Sequence, residues 1–117
     1  VLTRVVRPFI WLVPGSLSGG ERRKGEKARL RKGVTVLVCT PGRLLDHLKS
    51  TKCFKRDSLR WLILDEADRL LDMGFEKQVR LSFFDVRRFS VIRRQMVMVS
   101  ATLDKGVSRL SAALLSK

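Results

Sequence analysis

Three short apolar runs constrain this chain most, because each is strand-like and each stops at a polar cluster. Val34 to Cys39 (VTVLVC) runs into Thr40-Pro41-Gly42, Leu59 to Leu64 (LRWLIL) into Asp65-Glu66, and Gln95 to Val99 (QMVMV) into Ser100-Ala101-Thr102. The nearly continuous apolar character of the first two predicts strands covered on both faces. Between the runs lie helical segments: Glu21 to Lys32, exposed and stopped by Gly33; Arg43 to Leu48; Asp68 to Leu71; Phe75 to Phe84; and Asp104 to Leu115. Pro41 suits a first helical turn because its missing N–H would be unpaired there, and Met73-Gly74 marks a break between two helices. Phe9 to Val13 (FIWLV) reads as one more strand, ended by a turn at Pro14-Gly15. Val86 to Arg94 is basic and has no clear period.

Strands alternating with helices predict an α/β fold, a parallel sheet with helices on both faces. Such sheets bind ligands at the carboxyl ends of their strands, and that is where the three polar clusters stand.

A chain of 117 residues can bury one modest core, so residues 1–117 are expected to form one domain or a piece of one. Val1 rather than Met at the start points to processing or a fragment. No apolar run approaches the ~20 residues that span a bilayer, and Arg4, Arg7 and Pro8 interrupt the one at the start. Twenty-five Lys and Arg against eleven Asp and Glu give a net charge of +14. A domain this basic usually meets a polyanion, nucleic acid ahead of an anionic membrane or an acidic protein. Cys39, Cys53 and His47 form neither a disulfide framework nor a ligand set, and the default compartment is intracellular and reduced.

An acidic pair at the end of an apolar strand is a usual way to hold Mg²⁺ beside a phosphate chain. Asp65 can accept from the metal's bound waters, and Glu66 can polarise an attacking water. The blander alternative is that the pair caps the next helix, where negative charge suits the dipole. Ala67-Asp68 directly after it, and Ser100-Ala101-Thr102 at a later strand end, weigh against that alternative.

Here the chain resembles the DEAD-box RNA helicases. Asp65-Glu66-Ala67-Asp68 matches the motif that names the family, and Arg69-Leu70-Leu71-Asp72-Met73-Gly74-Phe75 continues it. Ser100-Ala101-Thr102, Thr40-Pro41-Gly42-Arg43-Leu44 and the doublet Gly19-Gly20 match further family motifs in order and spacing. The resemblance implies a partial RecA-like domain that uses ATP and Mg²⁺ and acts on RNA through backbone contacts. It implies Asp65 as the water-mediated Mg²⁺ ligand and Glu66 as the general base. Asp68 would couple to Ser100, Ala101 and Thr102. Gly19, Gly20, Thr40, Pro41, Gly42 and Arg43 would hold the RNA backbone. Helix N-termini and glycines suit phosphate contacts independently of any family, and such contacts carry no base identity. Val13-Pro14-Gly15, Gly19-Gly20-Glu21 and Glu26-Lys27-Ala28-Arg29-Leu30-Arg31-Lys32-Gly33 are similar to nucleolar members that act in large ribosomal subunit maturation. That similarity implies a nuclear, nucleolar setting.

A phosphate loop needs G-x-x-x-x-G-K-[ST], so that the backbone cradle and the Lys hold the β- and γ-phosphates together. The nearest match starts at Gly20 and Gly25, but Glu26 stands where Lys must be and Lys27 where Ser or Thr must be. The family's adenine-reading glutamine motif and second RecA-like domain also have no counterpart in the sequence. An interior strand missing from the sheet would leave neighbouring backbone and apolar faces bare, so the chain by itself is expected to be marginally stable or to aggregate. The sequence thus reads as an incomplete helicase piece inactive by itself, with a non-catalytic RNA-binding module derived from a helicase as the alternative. A DNA helicase of the same superfamily is a third reading, disfavoured by the Thr40–Arg43 motif standing together with Asp-Glu-Ala-Asp.

Overall fold

The computed structural model describes residues 1–89 and 93–115. The chain divides into two compact units, Val1–Lys55 and Arg56–Lys117.

The first unit holds helix α1 (Leu2–Val6), strand β1 (Pro14–Leu17), helix α2 (Arg23–Lys32), strand β2 (Val36–Cys39) and helix α3 (Pro41–Ser50). β1 and β2 pair in parallel, with Gly15 opposite Leu37 and Leu17 opposite Cys39. Val6, Leu17, Leu30 and Leu48 are its buried apolar residues. The first strand lies four to five residues further along than its apolar run predicts. Phe9 to Val13 is taken up by turns closed by Phe9 N–H to Val6 O and Leu12 N–H to Phe9 O, both 2.9 Å. Pro14 opens β1, a position where a strand tolerates the missing N–H. Gly15 follows because β1 runs so close to its neighbours that a Cβ there would lie 2.9 Å from Val34 and 3.2 Å from Arg29. Backbone approach therefore decides where the strand begins. Residue hydrophobicity does not.

Helix α2 also departs from its reading. It is not wholly a solvated face, since Glu26 and Leu30, one turn apart, are both buried.

The second unit holds strand β3 (Trp61–Leu64), helices α4 (Ala67–Asp72) and α5 (Glu76–Arg88), strand β4 (Gln95–Met98) and helix α6 (Lys105–Leu115). β3 and β4 pair in parallel, with Leu62 opposite Met96 and Leu64 opposite Met98. Val79 and Phe83 of α5 and Leu110 and Leu114 of α6 form its core, and Leu62, Leu64, Met96 and Met98 pack against it. The break between α4 and α5 has a defined cause. Gly74 takes φ 77°, Gly74 N–H donates to Leu71 O, and Phe75 N–H donates to Leu70 O, both at 2.9 Å. These two bonds close α4 in a Schellman motif, which needs a left-handed residue that glycine supplies without strain. Asp104 starts α6 by accepting from Val107 N–H at 2.8 Å through Oδ1. Part of the basic stretch read over Val86 to Arg94 is the end of α5, and its residues 90–92 lie outside the described residues.

The α/β class with parallel strands holds, but β3 is covered on one face only. Period-two alternation sends Leu62 and Leu64 toward α5 and α6 and sends Trp61 and Ile63 the other way. Trp61 remains 55% exposed and Ile63 62%. The helices of this unit contribute their apolar residues to the Leu62 side, which is why the opposite face stays bare. Such a face promotes association between chains. Replacing Trp61 and Ile63 together by Thr is expected to raise the soluble fraction of the 117-residue chain. Its unfolding free energy in urea should shift by less than about 0.5 kcal/mol, as for surface changes generally. A collapse of helical circular dichroism in this variant would show that the face is covered after all.

Candidate functional site

The chain places its chemistry at strand ends, in two groups, one in each unit.

In the second unit, β3 delivers Asp65 and Glu66 to solvent at its carboxyl end, and both are exposed. Asp65 Oδ1 accepts from Glu66 N–H at 2.9 Å. Glu66 stands in the left-handed region (φ 50°, ψ 51°), the one described non-glycine residue with positive φ. That conformation costs on the order of 1–3 kcal/mol and is typical of residues held for function. The turn it makes is locked on its far side, where Ala67 N–H donates to Val99 O at 3.0 Å and Val99 N–H to Leu64 O at 2.8 Å. Ala67 is fully buried. The Glu66 carboxylate lies 2.9 Å from the Arg69 guanidinium across an exposed turn of α4.

The parallel register of β3 and β4 sets the Ser100-Ala101-Thr102 segment beside the start of α4. Asp68 N–H donates to Ser100 Oγ at 3.3 Å, and Thr102 Oγ1 donates to Asp68 Oδ2 over a long 3.5 Å. Ala101 is exposed and makes no part of this link. Both bonds are at the weak end of the hydrogen-bond range, a geometry that small movements of either segment would tighten or break.

In the first unit, Gly19 and Gly20 form an exposed turn before α2, and nothing lies within 4 Å of a Cβ built on either. Thr40, Pro41, Gly42 and Arg43 make the start of α3, with Pro41 at its first turn and no side-chain cap from Thr40. The amide groups of that first turn are therefore not capped by the residue that precedes them. Arg43 joins the two segments. Its Nη2 donates to Glu21 O at 2.8 Å, one residue after Gly20, and its Nε donates to Glu26 Oε2 at 2.7 Å.

Glu26, His47 and Thr51 are functional-looking residues that the sequence reading passed over. Glu26 is 0% exposed and His47 1%. His47 Nε2 lies 2.8 Å from Glu26 Oε2, and its Nδ1 lies 2.8 Å from Thr51 Oγ1. Burial pushes the Glu26 carboxyl up, but the bonds from His47 and Arg43 outweigh it and hold the group below its ordinary value. Glu21 is held low by its bond to Arg29, a two-point pair at 2.6 and 3.2 Å. Burial pushes the thiol of the half-buried Cys39 up to about 11, so it carries little thiolate near neutral pH. The spacing Arg43, His47, Thr51 puts three polar residues on one helical face, and that was the available signal.

Asp65 and Glu66 fit a divalent metal of the Mg²⁺ kind, which takes one or two carboxylates and keeps much of its water. Among the described residues no three His, Cys, Asp or Glu side chains form a closed metal cage, and such a metal needs none. The sequence holds no G-x-x-x-x-G-K-[ST] loop that could cradle a phosphate chain beside this pair.

Residues 3–110 match the DEAD/DEAH box helicase family. This chain belongs to that family. It is 55% identical over 108 residues to the ATP-dependent DNA helicase DDX31 of Homo sapiens, a match covering 92% of this chain and 13% of that protein. With the ATP-dependent RNA helicase DBP7 of Gibberella zeae it shares 44% identity over 124 residues, 94% of this chain and 17% of the other. The chain thus spans well under a quarter of these relatives. The yeast DEAD-box splicing factor Prp28 superposes with a TM-score of 0.88 at 28% identity, over 96% of this chain and 26% of its own. Mss116p bound to ssRNA and AMP-PNP superposes at 0.75 with 28% identity, over 86% and 21%. These neighbours establish the RecA-like fold. DEAD-box helicases use ATP with a divalent metal. Among the described residues no helix is long and apolar enough to cross a membrane.

The left-handed Glu66 gives a direct test of the site's strain. Glu66→Gly should stabilise the chain toward urea by about 1 kcal/mol, the strain relieved exceeding the exposed Arg69 pair lost. A loss of stability of that size would show that Glu66 is not strained.

Proposed function

We propose that this chain is the metal-and-water half of an ATP-dependent RNA helicase, with part of its RNA-contacting surface. The reading rests chiefly on one observation: β3 ends in the exposed Asp65–Glu66 pair, and Asp68 just beyond is bonded to Ser100 at the end of β4. In this reading Asp65 holds Mg²⁺ through water, and Glu66 takes the proton of the attacking water, leaving Arg69 to do so. Asp68, with Ser100, Ala101 and Thr102, transmits the state of that site to the bound strand. Gly19, Gly20, Thr40, Pro41, Gly42 and Arg43 form the surface that holds the RNA backbone. Mg²⁺ supplies charge neutralisation at the phosphates and acidifies bound water. Turnover in this reading also needs a phosphate cradle, an adenine-reading glutamine and a second RecA-like domain, which residues 1–117 do not supply.

RNA is preferred over DNA as the substrate class because the Thr40–Arg43 motif beside Asp-Glu-Ala-Asp resembles the RNA branch, and because DBP7 and the ssRNA-bound Mss116p are similar to this chain. The DNA reading has its own support in the name of the human relative. The pieces around Gly19 and Glu26 further support a nucleolar helicase of large ribosomal subunit maturation.

The two roles are separable in a chimera in which this chain replaces the matching segment of the human relative. RNA-stimulated ATP turnover is expected, and Glu66→Gln should reduce it by about 10²–10⁴-fold, the range of general-base removal. Turnover that survives Glu66→Gln would overturn the hydrolytic role. Stimulation by single-stranded DNA equal to that by RNA of the same sequence would favour the DNA reading.

A further inference from the structure

A fully buried carboxylate is costly unless it is paired, and Glu26 is paired twice through one oxygen. Arg43 Nε and His47 Nε2 meet Oε2 at 2.7 and 2.8 Å, while Oε1 has no hydrogen-bond partner. Arg43 contributes its remaining reach to Glu21 O at 2.8 Å and lies 3.9 Å from Asp46. Its side chain is 19% exposed. The same turn is held from its other side, since Arg29 donates to Ser16 O at 2.6 Å and pairs with Glu21. Arg23 of α2 pairs with Asp46 of α3. The Gly19–Gly20 turn and the first turn of α3 are thus fixed to one another by a network centred on a single buried carboxylate.

Resting on the RNA-binding reading above, we propose that Glu26 is a positioning residue and that Arg43 acts with it as a clamp, not as a phosphate ligand. Glu26 neutralises Arg43 and aims it inward at the Glu21 carbonyl. The clamp sets the spacing between the Gly19–Gly20 backbone and the amides opening α3, and those backbone groups meet the RNA phosphates. Affinity then depends on the clamp, whereas the number of phosphates neutralised does not.

Salt dependence separates the two roles, because each phosphate neutralised on a single strand adds about 0.7 to the slope of log affinity against log salt. Binding of a fluorescent single-stranded RNA to the 117-residue chain is measured across a salt series, with circular dichroism reporting the fold. Glu26→Ala keeps Arg43 but removes the clamp. It should weaken binding roughly tenfold, the worth of about one charged hydrogen bond, with the slope unchanged. The double variant E26Q/R43Q keeps a neutral bonded pair in the same place. It should weaken binding less than Glu26→Ala, again with the slope of the unaltered chain, and it decides the matter if Glu26→Ala does not fold. A slope reduced by about 0.7 in the double variant would place Arg43 on a phosphate and overturn the clamp. Tighter binding with a steeper slope in Glu26→Ala would do the same. An unaltered chain that is folded by circular dichroism yet binds no RNA would overturn the underlying RNA reading, and the clamp with it.

Discussion

Parallel pairing of β3 with β4 is the constraint on which the rest of the second unit depends. Parallel strands end on the same side, so the residues after Leu64 and after Met98 emerge together. From that register come the bonds between Val99 and Leu64, Ala67 and Val99, and Asp68 and Ser100. The same register turns Leu62, Leu64, Met96 and Met98 to one face, where α5 and α6 cover them. A one-residue slip would turn Trp61 and Ile63 to that face and separate Asp68 from Ser100. Core and chemistry are therefore fixed by one choice of register.

The first unit solves a related problem with charge. Its two strands are short, and the segments that carry its backbone-rich turns are tied by Glu21, Arg29, Glu26, Arg43 and His47. A buried ionic cluster of this kind is weak evidence for stability, and what it visibly does here is tie the residue after Gly20 to the start of α3. The +14 charge of the chain makes this more telling, since two of its arginines are turned to internal work rather than presented to a polyanion.

Much of the fold was legible because it follows from local rules. Asp104 and Gly74 mark helix boundaries by their own conformational preferences, and the Val107, Leu110 and Leu114 stripe identifies the buried side of α6. The Asp65–Asp68 and Ser100–Thr102 segments could be found from the strands they end. What the sequence did not disclose depends on close approach in three dimensions. Phe9 to Val13 has the composition of a strand, yet β1 forms at Pro14 because Gly15 alone fits against Val34 and Arg29. Glu26 looks like one more charge on a solvated helix until Arg43 and His47 come to it from residues seventeen and twenty-one positions away. Glu66's left-handed backbone likewise has no signature in its residue type.

The central claim is that the acidic pair is half of a hydrolytic site and lacks its phosphate-holding half in this sequence. Release of inorganic phosphate from ATP by the purified 117-residue chain, with Mg²⁺ and saturating RNA, tests this most directly. The account predicts no release above that of the buffer, with or without RNA. RNA-stimulated release that disappears in Glu66→Gln would contradict it, since the pair would then be working without any cradle this sequence contains.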